Sequence, residues 1–123
     1  MSSLPNGIHY AAEKFNAALY TLTGPGSQRE RLANAHEDSI ISVRPETLPE
    51  AMRYSFNEFR EAITSVPSNL GEGAVIASIA RMSDDRVSEM VRRFVSLYLE
   101  LQFALRVAES RSLDSESGPD DEA

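Results

Sequence analysis

Apolar residues recur at intervals of three and four positions along most of the chain, which is the spacing that lines one face of an α-helix. The first such segment stops before the helix breakers Gly24-Pro25-Gly26. Its apolar positions are Ile8, Ala11, Ala12, Phe15, Ala18, Leu19 and Leu22. Ser27 and Glu30 then have the spacing of a capping box, so a second helix is predicted to begin there. Its apolar positions are Leu32, Ala35, Ile40 and Val43, and Arg44-Pro45 is predicted to close it.

A third helix is predicted after Thr47 and Glu50, which repeat the capping-box spacing around Pro49. Its apolar face consists of Leu48, Met52, Phe56, Phe59, Ile63 and Val66. Because the apolar rhythm continues beyond Pro67 to Leu70, two interpretations stay open: the helix stops near the proline, or it continues with a kink. A short helical piece is predicted next, with apolar positions Val75, Ile76, Ile79 and Met82.

The last predicted helix, over residues 84–110, has the longest apolar pattern, and Ser83 is its predicted N-cap. One broad apolar face consists of Val87, Met90, Val91, Phe94, Leu97, Tyr98, Leu101, Ala104, Leu105 and Ala108. A second stripe on its flank consists of Val95, Leu99 and Phe103. A helix that buries a single face does not need this second stripe, so the stripe predicts contact with another copy of the chain. Packing under another helix of the same chain is the alternative.

The absence of alternating polar and apolar positions argues against strands, so the predicted fold is all-α. We expect one domain, an antiparallel helical bundle of four helices over residues 1–111. Residues 112–123 contain five acids and no base among Ser, Gly and Pro, which predicts a disordered acidic tail. The tail either aids solubility or shields the body from nucleic acid as a tethered competitor.

Charge and composition narrow the possible partners. The net charge is -7, but five of the 19 acids lie in the tail, so 14 acids and 12 bases remain in the body. Eleven of the bases are arginines, which either reflects a GC-rich genome or serves planar contacts to phosphate. The chain has no cysteine, no signal-peptide pattern and no apolar run of the roughly 20 residues that a membrane helix needs. These features predict a cytoplasmic protein without membrane contact.

Residues 59–73 carry the most distinctive sequence of the chain, FREAITSVPSNLGEG. Its motif positions are Ser65, Pro67, Ser68, Asn69, Glu72 and Gly73. Further along, Ser83 is followed seventeen residues later by Glu100-Leu101. This combination resembles the small four-helix bundle proteins encoded in intervening sequences of 23S ribosomal RNA genes, to which the accessory proteins of diversity-generating retroelements are related. The chain differs from that pattern in an inserted helix after Ser27 and in the lack of the usual C-terminal helix.

The resemblance implies a helical bundle that forms a ring-like homo-oligomer, commonly a pentamer, with no established enzymatic activity. The sequence itself predicts no cofactor and no enzymatic activity. It leaves open whether the inserted helix takes the place of the missing one. The related retroelement proteins bind nucleic acid through a basic surface. This chain lacks such an excess of bases, so RNA or DNA binding is a weakened alternative, for which Arg86, Arg92 and Arg93 are the candidate side chains.

The motif around Pro67 has two interpretations. The favoured one is structural, with Asn69 and Glu72 hydrogen-bonded to backbone groups at a kink, and the alternative is a polar recognition patch. For Glu100, solvation or pairing with Arg93 or Arg106 is favoured over a ligand role.

Few residues suggest catalysis or metal binding. Arg31 and His36 have the spacing of paired side chains in certain helical-bundle ribonucleases, which makes RNA cleavage a third, disfavoured hypothesis. Adjacent acids such as Glu37-Asp38 point about 100° apart on a helix, so they make poor metal clamps and no metal site is predicted.

Overall fold

The computed structural model describes residues 4–66 and 73–122, with side chains described as far as Arg111. This part of the chain contains five α-helices and no strand, so the all-α prediction is confirmed. The helices are α1 (Ile8–Leu22), α2 (Gln28–Asp38), α3 (Glu50–Ile63), α4 (Ala74–Ala80) and α5 (Asp84–Glu122). Two short 3₁₀ turns, Ile40–Ser42 and Pro45–Thr47, connect α2 to α3.

Two predicted helix starts are confirmed by their hydrogen bonds. The Glu30 N–H donates to the Ser27 hydroxyl at 3.1 Å, and the Ser27 N–H donates to the Glu30 carboxylate at 2.9 Å. At the start of α5, the Arg86 N–H donates to the Ser83 hydroxyl at 3.1 Å. Each serine therefore satisfies an amide that has no acceptor inside its helix.

The capping box predicted at Thr47 and Glu50 is wrong. Thr47 belongs to a 3₁₀ turn, and its hydroxyl donates to the Arg44 carbonyl at 2.6 Å. Pro49 directly precedes α3, and no side chain makes a capping bond there. The spacing of three residues between a Thr and a Glu does not distinguish a helix start from such a turn.

The predicted end of α2 at Arg44 is also wrong, because the helix stops at Asp38. Ile40 and Val43 are nevertheless buried, as their spacing indicated. They reach the core from the 3₁₀ turn and the residue after it, since a 3₁₀ turn also repeats about every three residues.

The segment after α3 decides between a stop and a kink at Pro67. α3 ends at Ile63, so the interpretation in which α3 continues with a kink is wrong; Pro67 itself lies outside the described residues. Beyond the helix, the Val66 N–H donates to the Ser78 hydroxyl at 2.8 Å, which ties this segment to α4.

Four phenylalanines form the centre of the core. Phe15 of α1, Phe56 and Phe59 of α3, and Phe94 of α5 are all at most 1% exposed. Their ring centroids lie 5.1 Å apart for Phe15 and Phe94, 5.8 Å for Phe15 and Phe56, and 5.9 Å for Phe59 and Phe94. These separations are favourable for tilted aromatic pairs, so the rings join three helices around one centre.

The helix directions follow from contacts near the helix ends. α1 runs antiparallel to α5, because Phe15 packs on Phe94 while His9 shares a cleft with Gln102, further along α5. α2 begins beside the start of α5, where the Ser88 hydroxyl donates to the Gln28 side chain at 2.7 Å. α4 packs on both α2 and α3. With this fifth helix in place, the predicted four-helix arrangement is not confirmed.

Helix α5 is much longer than its partners. Its 39 residues span about 58 Å, whereas the 15 residues of α1 span about 22 Å. α5 remains helical to Glu122, across a stretch for which the sequence predicts disorder. An existing helix grows by one hydrogen bond per added residue, so a tail of weak helix formers can continue it. The C-terminal part of α5 therefore extends beyond the other helices.

Candidate functional site

The second apolar stripe of α5 lies on the outward side of the helix. Leu99 is 59% exposed and Phe103 is 67% exposed, while Val95 is half-buried. Val107, also half-buried, extends the same row by one turn. We call Val95, Leu99, Phe103 and Val107 the α5 ridge. No helix within residues 4–66 or 73–111 covers the two exposed side chains, so the alternative of cover from the same chain is wrong for the described residues.

Two arginines lie closest to the α5 ridge. Arg92 and Arg106 are exposed and lie on the ridge side of α5 by helical periodicity. Glu100 is also exposed and lies on the flank of the ridge, three residues before Phe103 and seven before Val107. The α5 ridge is therefore an apolar surface with two arginines and one glutamate beside it, on a protein of net negative charge.

Two of the three arginines predicted to contact nucleic acid are already paired. Arg86 and Arg93 donate to the two carboxylate oxygens of Glu89 at 2.9 and 2.8 Å. These hydrogen bonds, the one from Arg86 first, hold the pKa of Glu89 below its usual value. Arg93 is thus not the partner of Glu100, and only Arg92 of the predicted set makes no ion pair with a described residue.

The structure describes only part of the family-like motif. Ser65 lies exposed after α3, and its hydroxyl donates weakly to the Ala62 carbonyl at 3.4 Å. Gly73 precedes α4 with a φ of +90°, a conformation that favours glycine. Leu101 is fully buried, whereas Glu100 is exposed. The other motif positions lie outside the described residues, namely Pro67, Ser68, Asn69 and Glu72.

Arg31 and His36 do not form an open pair of catalytic side chains. His36 is 5% exposed, and its Nδ1 lies 3.6 Å from Glu37 without a hydrogen bond. Burial lowers the pKa of His36, assisted by the charge of Arg60 and opposed by Glu37. The Arg31 guanidinium donates to the Gly26 carbonyl at 2.6 Å. His36 is therefore a neutral core side chain that a phosphate in solvent does not reach.

Arg29 holds three elements together. Its guanidinium donates to the carbonyls of Ile79 and Met82, the latter at 2.8 Å, and to the Asp84 carboxylate at 2.7 Å. These carbonyls lie at the end of α4 and just beyond it, and the Ile79 carbonyl also accepts the Met82 N–H at 3.1 Å. Sequence reasoning missed this role, because a single arginine in the first turn of α2 carries no local signal for a contact fifty residues away.

A groove of about 560 Å³ lies beside Arg29, between α2 and α4. Ile76 is 44% exposed along this groove, and the small side chains of Ala33 and Ala80 leave room in it. We call it the α2–α4 groove, defined by Arg29, Glu30, Ala33, Asn34, Ile76, Ile79 and Ala80. It is a second partly apolar surface, separate from the α5 ridge.

Other site types find no support in the described residues. No group of three or more His, Cys, Asp or Glu side chains that could hold a metal ion occurs there. Likewise, none of the helices in residues 4–66 and 73–122 is long and apolar enough to cross a membrane. Comparisons with known protein families, with curated proteins and with solved structures gave no match. The function is therefore inferred from the surfaces of this chain.

Proposed function

We propose that this chain is a non-enzymatic, cytoplasmic helical-bundle protein that self-associates and acts as a scaffold or accessory factor. The observation that carries the proposal is the exposure of Leu99 and Phe103, two large apolar side chains one turn apart on the longest helix. Scattered apolar residues on a surface are ordinary, but an aligned ridge on one helix is typical of a contact site.

The length of α5 supports the same proposal. Beyond Leu101, which is fully buried, α5 passes the end of the core, and Ala104, Leu105 and Ala108 are only half-buried. A cleft of about 420 Å³ opens there between His9 and Arg106. Helical stability in proteins comes mostly from packing of an apolar face, so a second chain would stabilise this part of α5.

The resemblance to proteins encoded in 23S ribosomal RNA intervening sequences agrees with self-association. In that family a ring-like homo-oligomer, commonly a pentamer, is the expected assembly. Membership in the family and the pentameric state are parts of this proposal.

Size-exclusion chromatography with multi-angle light scattering tests the proposal. We expect the full chain to have a mass several times its 13.6 kDa. Phe103→Asp and Leu99→Asp place a charge on the α5 ridge, so each should reduce the mass to that of one chain. Tyr20→Asp is the matched control, because Tyr20 is 83% exposed on α1, away from the ridge. A wild-type chain that stays monomeric at micromolar concentration would contradict the proposal.

Nucleic-acid binding is the less supported candidate. Two of the five arginines of α5, Arg86 and Arg93, are paired with Glu89 and are therefore less available for phosphate contacts. Cleavage of RNA by Arg31 and His36 is less supported still, because His36 is buried.

A further inference from the structure

The chain has two separate apolar surfaces at different places along its length. The α2–α4 groove lies at the start of α5, since Arg29 at its edge bonds to Asp84. Phe103 of the α5 ridge lies nineteen residues further along the same helix, about 28 Å away. Because α5 is a continuous helix, the ridge of one molecule does not reach the groove of the same molecule.

The charges around the two surfaces are complementary. Arg92 and Arg106 flank the α5 ridge. On the groove, Glu30 lines the α2 side, and Glu37 follows it on the same face of α2 two turns later. The positive charge of Arg29 at the groove edge is balanced by Asp84 at 2.7 Å. With Glu100 on its flank, the ridge side carries two arginines and one glutamate, whereas Glu30 and Glu37 remain at the groove beside the paired Arg29. The excess charge is therefore positive at the ridge and negative at the groove.

We propose that the α5 ridge of one copy binds in the α2–α4 groove of a second copy. This inference rests on the proposed self-association and specifies its geometry. The space above Ala33 and Ala80 receives the side chains of Leu99 and Phe103. One of the two ridge arginines then faces the acids of α2, because Arg92 and Arg106 lie about 21 Å apart along α5, twice the separation of Glu30 and Glu37 along α2.

This contact is heterologous, because it joins two different patches. In an open assembly the copy at one end keeps an unused ridge and the copy at the other end keeps an unused groove, so the contact builds a ring or an open filament. Direct pairing of two α5 ridges would instead be isologous and would stop at a dimer. The two arrangements predict different masses for variants in which only the ridge or only the groove is altered.

Mixing two variants distinguishes these arrangements. Phe103→Asp removes the ridge and keeps the groove. Ile76→Arg fills the groove with a bulky positive side chain and keeps the ridge. We expect each variant alone to have the mass of one chain in light scattering. An equimolar mixture should form a complex of two chains, because one intact ridge and one intact groove remain, and it should not grow further.

Ile41→Arg is the matched control for the groove variant, because Ile41 is 54% exposed outside the groove. It should keep the wild-type mass. Asn34→Arg, on the exposed α2 side, serves as a second groove variant if circular dichroism shows that Ile76→Arg loses helix. We also expect the wild-type assembly to dissociate as salt is raised, since screening weakens the arginine–acid contacts.

The outcomes separate this inference from the proposed function. If the wild-type chain is oligomeric and both groove variants keep its mass, the ridge has another partner surface, and only the inference fails. A mixture that stays monomeric also overturns it. If the wild-type chain is itself monomeric, the proposed function fails as well.

Discussion

Phe94 and Phe103 lie on the same helix in opposite environments. Phe94 is fully buried between the rings of Phe15 and Phe59, whereas Phe103 is 67% exposed. Their roles differ for that reason: one side chain holds the core together, and the other is available to a partner.

Truncation of these two side chains should therefore have unequal effects on folding. We expect Phe94→Ala to lower the free energy of unfolding by about 3–5 kcal/mol, because it leaves a cavity among aromatic rings. Phe103→Ala should change it by less than about 0.5 kcal/mol. Urea denaturation in a Leu99→Asp background, which is expected to be monomeric, measures both values. Equal losses would show that Phe103 is covered within its own chain.

The stability of the folded chain is expected to depend on pH through His36. Burial lowers its pKa below 6.5 in the folded state, so the unfolded state binds more protons as the pH falls below about 6.5. The free energy of unfolding should then decrease toward acid, by about 1.4 kcal/mol per unit of difference between the two pKa values.

The variant His36→Leu should remove this contribution and flatten the stability profile between pH 7 and 5. Thermal or urea unfolding across that range measures the change. His9→Gln is the control, because His9 is exposed and lies outside the core. A profile that keeps its slope in His36→Leu would assign the dependence to other groups.

At the scale of elements, helix starts depend on single hydroxyl groups. The Ser27 hydroxyl accepts a hydrogen bond from the Glu30 N–H, and the Glu30 carboxylate accepts one from the Ser27 N–H. Such a reciprocal cap can be predicted from sequence when helix breakers precede it, as Gly24-Pro25-Gly26 do here. The same spacing at Thr47 formed no cap, because Pro45 and Pro49 set the local backbone.

Replacement of the α2 cap tests its contribution. We expect Ser27→Ala to lower the free energy of unfolding by about 1 kcal/mol, since the Glu30 amide loses its acceptor. Ser55→Ala in the exposed middle of α3 is the control and should have little effect. Chemical denaturation compares the two, and an undiminished stability in Ser27→Ala would indicate that water satisfies the amide.

At the scale of the whole molecule, charge distribution decides between the possible partners. The net charge is -7, and Glu89 pairs with two arginines of α5. We expect no measurable binding of labelled single-stranded RNA or duplex DNA in fluorescence anisotropy at about 50 mM salt, where electrostatic affinity is large. Binding that disappears in Arg92→Ala would instead support the nucleic-acid alternative.

The sequence alone determined the helices with strong apolar periodicity. α1 and α5 begin where the pattern predicts, and the core residues of α3 are those with helical spacing. The local chemistry of Ser27 and Ser83 marked two helix starts. These features depend on contacts within a few residues, and periodicity reports such contacts directly.

Only the tertiary structure decided which apolar residues are left uncovered and which distant groups meet. The pattern places Leu101 and Leu99 in two apolar stripes of α5 and leaves open whether the second stripe is covered by the same chain; in the structure Leu101 is fully buried and Leu99 is 59% exposed. The contacts of Arg29 with the end of α4, and the groove between α2 and α4, join segments about fifty residues apart. Such relations depend on how the helices pack, and a pattern within one helix does not specify its neighbours.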